Sequence, residues 1–216
     1  MSTEPRPVTT AATYDVDAVR SHFPSLDSGI AHFDGPGGTQ TPVQVGRAIA
    51  DTLTAPLSNR GTDSIPERNA DAAVTEFRAA SADLLGAEAR GIVFGRSATQ
   101  LAYDFARHLS RTWGPGDEIV VTRLDHDANI RPWIQAAERA GATVRWVGFK
   151  PNTGELSADS VAAVLSERTR LVAVTAASNL IGTRPPITEI AEAVHRTDAL
   201  LYVDGVHYTP HASVDL

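Results

Sequence analysis

Four short stretches of this chain hold side chains that can do chemistry. In Gly95-Arg96-Ser97-Ala98-Thr99-Gln100, Ser97 can cap a helix and Gln100 can close the capping box. That leaves the Ala98 and Thr99 N–H groups, and the Thr99 hydroxyl, to offer to an anion. Leu124-Asp125-His126-Asp127-Ala128-Asn129 brings an imidazole, and Ser178-Asn179-Leu180-Ile181-Gly182-Thr183 brings the Asn179 amide. Asp204-Gly205-Val206-His207 brings a carboxylate that leaves the apolar run Leu200-Leu201-Tyr202-Val203, where an acid needs a partner. The set is therefore a phosphate-type nest, an imidazole, an amide and a carboxylate. Each member alone has a plainer explanation: a helix cap at Ser97 and Gln100, a solvated loop at His126, turn chemistry at Asn179, and structural pairing at Asp204.

What joins the four is the kind of element that precedes each. Beyond Gly86, short β-branched runs alternate with amphipathic helical segments, the pattern of an α/β domain with a mainly parallel sheet. Strands are expected at Ile92 to Phe94, Glu118 to Thr122, Thr143 to Val147, Leu171 to Thr175 and Leu200 to Asp204. Helices are expected near Ala98 to Arg111, Ile130 to Ala140, Ser157 to Ser166 and Ile187 to His195, with Gly141 ending the second. All four stretches then follow strands, and ligands of open parallel sheets bind outside the carboxyl ends of strands. Asp204, His126, Asn179 and Thr99 are accordingly expected to converge on one cleft. Upstream, a short helix covers Val16 to Phe23 and is stopped by Pro24. The segment from Ile30 to Thr41, with Gly35 to Gly38, is a tight loop, and further helices cover Pro42 to Leu57 and Glu67 to Leu85. Arg60 and Asp63 read as a solvated turn.

Composition bounds the rest. The 216 residues are 42% hydrophobic and 21% charged, enough apolar material for a buried core. A net charge of -7 argues against nucleic acid and against anionic membranes as partners. With no cysteine there is no disulfide framework, thiolate metal site or thiol nucleophile in these residues. His207 and His211 are four apart, but Pro210 intervenes, so helical zinc spacing fails and no metal site is expected. The segment from Met1 to Thr13 lacks the apolar core of a signal peptide, the tail is expected to be mobile until about Asp15, and no run reaches the length of a membrane span. A cytoplasmic location is the default expectation. No glycine fingerprint for a nucleotide follows a strand.

In this order the motifs resemble the class V aminotransferase and cysteine desulfurase family, fold type I enzymes that use pyridoxal phosphate. The resemblance runs from Phe33-Asp34 and its glycine loop through Asn59-Arg60-Gly61, Arg96-Ser97-Ala98-Thr99 and Asp125-His126-Asp127-Ala128-Asn129-Ile130 with Pro132-Trp133. It continues through Ser178-Asn179 with Gly182-Thr183 to Val203-Asp204-Gly205. About thirty residues at the start lie outside it. It implies a three-layer αβα sandwich, with residues 31–216 the N-terminal portion of the cofactor-binding large domain, after an N-terminal tail and short helix. It also implies roles: Asp204 pairs with the pyridine nitrogen, His126 stacks on the ring and relays protons, Asn179 and His207 meet the ring hydroxyl, and Ala98 and Thr99 hold the phosphate. His207 stands where cysteine desulfurases usually have Gln, Ala98 where the family has Thr, and Asp127 where it has His. These departures resemble a desulfurase-like subgroup of unassigned activity more than a sulfur donor.

The family's Schiff-base lysine lies shortly after the Asp204 strand, beyond Leu216, as do its small domain and carboxylate-binding Arg. Lys150 is the only lysine and is expected in a solvated turn away from the cleft. Two functions follow: the N-terminal part of a pyridoxal-phosphate enzyme acting on an amino acid, with a homodimer implied for the longer parent, or a catalytically silent module that binds a phosphate ligand or a partner. In strand order, the resemblance leaves Ile92 to Phe94 without a neighbour and the edge of Leu171 to Thr175 open, so this chain is expected to aggregate or to recruit a partner.

Overall fold

The computed structural model describes residues 14–216; residues 1–13 of the tail expected to be mobile lie outside the described residues. The chain forms two compact units, divided between Ala73 and Val74. The first carries helices α1 (Val16–Arg20) and α2 (Val43–Thr54) and the start of α3 (Ile65–Leu85). Helix α2 stops short of the expected Leu57 because Ala55 precedes Pro56 and is held extended. Helix α3 starts two residues before the expected Glu67. Ser64 caps it, and the Glu67 carboxylate accepts from the Ser64 N–H at 2.8 Å, a capping box that leaves Pro66 harmless in the first turn. Arg60 is more than a solvated turn residue, since its guanidinium pairs with Asp71 on α3 at 2.6 Å.

The second unit is built around a parallel sheet of four strands: β1 (Glu118–Thr122), β2 (Thr143–Val147), β3 (Thr169–Thr175) and β4 (Leu200–Asp204), in the order β2-β1-β3-β4. Strand alternation sorts the core into two layers. Ile119, Val121, Leu171 and Ala173 point to one face, against Ala106 of α4 (Ala98–Leu109) and Trp133, Ala136 and Ala137 of α5 (Arg131–Ala140). Val120, Val172 and Val174 point to the other, against Val161 of α6 (Ala158–Ala162) and Ile190 and Val194 of α7 (Ile187–Val194). This is the three-layer αβα sandwich. Gly141 ends α5 with φ of 72°, a left-handed position that favours glycine.

Two expectations change. Ile92 to Phe94 forms no strand; the segment leaves a 3-10 turn at Ala89–Gly91 and stays irregular, because no strand beside it takes its backbone groups. The open edge on that side of the sheet belongs to β4, not to Leu171 to Thr175, since β3 pairs with β1 on one side and β4 on the other.

Candidate active site

The sheet reverses its winding between β1 and β3, since β1 is followed by β2 on one side and β3 by β4 on the other. Their pairing also ends early, at Val120 opposite Val172, so the two strands separate before their carboxyl ends. A crevice at such a switch point is where a doubly wound sheet binds ligands. The wall in this crevice is a chain of hydrogen bonds. Asn129 Nδ2 donates to Asp125 Oδ1 at 2.6 Å, Trp133 Nε1 donates to Asn129 Oδ1 at 3.1 Å, and Thr122 Oγ1 donates to Asp125 Oδ2. Burial, opposed by these donors and reinforced by the charge of Asp204, pushes the Asp125 carboxyl up to about 6.

Two cavities share this wall. The larger, about 560 Å³, is lined by Asp125, His126 and Asn179 together with Arg123 and the turn 151–154. The smaller, about 160 Å³, is lined by Asn129, Ala98 and Asp204. The structure thus pairs His126 with Asn179 and Ala98 with Asp204. Thr99 and His207 line neither cavity, although each follows a residue, Ala98 or Val206, that lines the smaller one.

Local folding explains each placement. Ser97 caps α4 by accepting from the Gln100 N–H at 3.1 Å, so the Ala98 and Thr99 N–H groups are left without helical partners. His126 stays exposed, and its Nδ1 accepts from the Ala128 N–H at 3.1 Å. In the neutral ring the proton is therefore on Nε2, which becomes a donor. After β3 the turn is made by Ser178, whose Oγ accepts from Leu180 and Ile181 N–H groups, leaving the Asn179 amide outside the turn's own bonding. The Asp204 carboxylate accepts from the Val206 N–H at 2.9 Å through one oxygen. Beside it, Tyr202 meets Trp133 edge to face at 4.7 Å, and burial with the nearby Asp204 charge raises its phenol above the ordinary value.

The turn that carries Lys150 is not remote, which corrects the expectation. Gly154, with φ of 70°, packs so closely under Ile181 that a Cβ there would lie 2.5 Å from its Cδ1, and the Gly154 carbonyl accepts from Thr183 at 2.9 Å. Residues 151–154 therefore sit at the larger cavity. Lys150 does not line it; its Nζ pairs with Glu155 at 3.4 Å, both exposed. The residue that sequence reasoning passed over is Asp125. Its spacing to Asn129, four residues on, was the available signal, but its burial between separating strands was not. Among the described residues no group of three or more acidic or His side chains could hold a metal.

The family model for aminotransferase class-V matches residues 31–216. This chain belongs to that family. A cysteine desulfurase of Dickeya dadantii is 35% identical over 212 residues, 94% of this chain and 51% of that protein. The class-V chain spans about half the length of the curated relatives it matches. Among solved structures, a cysteine desulfurase of Escherichia coli superposes with a TM-score of 0.81 at 24% identity, over 94% of this chain and 52% of that one. The K223A mutant of C-DES, solved with glycine covalently linked to the pyridoxal-phosphate cofactor, superposes with a TM-score of 0.76 at 23% identity, over 91% of this chain and 51% of that one. Both structural matches show the fold, an α/β sandwich of the fold type I class. Pyridoxal phosphate is thus the cofactor of one protein that shares this fold. No helix among the described residues is long and apolar enough to cross a membrane.

Proposed function

We propose that the chain is the N-terminal part of a pyridoxal-phosphate-dependent enzyme acting on an amino acid, either a cysteine desulfurase-like lyase or transferase or an aminotransferase, in a cytoplasmic, homodimeric parent. The observation that carries the reading is the smaller cavity, which has the N-terminus of α4 at Ala98 and the Asp204 carboxylate on its lining. Unpaired N–H groups at a helix start suit a phosphate, and a carboxylate suits a protonated ring nitrogen, so the donor set fits both charged ends of the cofactor.

In this reading Ala98 and Thr99 hold the phosphate, and Asp204 holds a proton on the ring nitrogen. His126 covers the ring face and carries protons, and Asn179 and His207 orient the ring hydroxyl. When bound, the cofactor supplies an electron sink for a substrate carbanion. The larger cavity, with His126 and Asn179 on its lining, is the space for the amino acid.

Equilibrium binding of pyridoxal phosphate to the 216-residue chain tests this. Binding that weakens tenfold or more in Asp204→Ala is expected, and equal binding by both proteins overturns it. The second reading, a silent module that binds a phosphate ligand or a partner, is favoured by the pairing of the sole lysine with Glu155. Under it, and for this chain under either reading, borohydride leaves no stoichiometric cofactor adduct on Lys150.

A further inference from the structure

The larger cavity has more donors than the cofactor reading uses. Arg123 lines it, and its guanidinium carbon lies 4.9 Å from the centre of the Trp146 ring. Stacking over an aromatic face engages the face of the guanidinium and leaves its N–H edge for another planar group. None of the ion pairs among the described residues involves Arg123. The two acids on the same lining are already engaged: Asp125 by Thr122 and Asn129, and Asp127 by Arg131 at 2.8 Å. Asn152 adds an amide, while His126 and Asn179 are left to the cofactor. A lining with one cation lacking an acid, an amide on the same lining and its own carboxylates engaged is matched to a planar anion.

We propose that this cavity is an anion subsite in which Arg123, held over Trp146, takes the side-chain carboxylate of an acidic amino acid. The proposal rests on the reading above that the ligand is an amino acid, and it narrows the substrate class to those with an anionic side chain. It assigns Arg123 a role in specificity: an uncharged side chain of the same shape forfeits the charge-assisted pair.

The test compares L-aspartate with L-asparagine, which differ in charge but hardly in shape, by equilibrium binding to the 216-residue chain. L-aspartate is expected to bind about tenfold tighter, the worth of one charge-assisted hydrogen bond. In Arg123→Met the ratio falls to about one, while Arg123→Lys keeps part of it. Arg123 is exposed, so neither variant disturbs the core. Equal affinities in the unmodified chain, or an unchanged ratio in Arg123→Met, overturn the proposal. The cofactor measurement with Asp204→Ala separates the two claims. A discriminating Arg123 without pyridoxal-phosphate binding sinks the cofactor reading and leaves the subsite, and the reverse result sinks only the subsite.

Discussion

Two carboxylates near the ends of β1 are tuned in opposite directions. Glu118, buried where the strand begins, accepts from Arg145 at 2.8 Å, Ser166 at 2.8 Å and Arg168 at 2.9 Å, and these partners hold its pKa down to about 2. Its charge stabilises the fold fully above the ordinary carboxylate range and loses that effect progressively as pH falls from about 4.5 through about 2. Asp125, just past the end of β1, is raised from 3.8 to about 6, chiefly by burial. Between these two values the folded chain binds a proton that the unfolded chain has released, so stability falls as pH rises from about 4 through about 6. The cost above that window is on the order of 3 kcal/mol. Urea unfolding at either side of the window is expected to show this loss in the unmodified chain and a flatter profile in Asp125→Asn. Equal pH slopes in the two proteins contradict the raised value. The tolerated cost lies at the ligand end of the strand, while the favourable ion cluster lies at the other.

At the scale of elements, legibility followed neighbours. β1, β2 and β4 match their expected bounds because each β-branched or apolar run has a partner strand in this chain. Ile92 to Phe94 has the same local character and fails as a strand, because strand propensity only becomes structure when another backbone is alongside. Amide hydrogen exchange is expected to find Val93 and Phe94 unprotected while Val172 to Val174 exchange only on global unfolding. Slow exchange at Val93 and Phe94 would show a pairing that the fold described above does not contain. The start of α3 at Ile65 is legible from Ser64 and Glu67, three apart in the spacing of a capping box, with Pro66 tolerated in the first turn. In the site, strand-end position put His126, Asn179 and Asp204 on cavity linings, while Ala98 lines the smaller cavity with no strand before it. It did not reveal that the Asp125–Asn129 wall divides them between two cavities, nor that Arg123 meets Trp146 across β1 and β2. Those relations depend on how strands separate and register, which no local pattern encodes.

At the scale of the molecule, the chain leaves much apolar surface unpaired. No described residue up to Ala73 is buried, and Val45, Ile49 and Leu53 form a helical stripe on α2 that is 45%, 56% and 76% exposed. On the sheet, Leu200 of the open edge strand β4 is 53% exposed. Surfaces of this kind recruit other chains. Analytical ultracentrifugation of the 216-residue chain is expected to show concentration-dependent association, reduced when Ile49→Lys and Leu200→Lys are combined. A monodisperse monomer would mean that these surfaces are closed in a way the present fold does not show. Since Lys150 is the only lysine and is paired with Glu155 beside the turn 151–154, an amine-directed fluorophore has a single side-chain target, and it adjoins a turn that lines the larger cavity. The sequence thus comes with its own labelling handle, placed where a dye would sense a small molecule arriving without touching Arg123, His126 or Asp204.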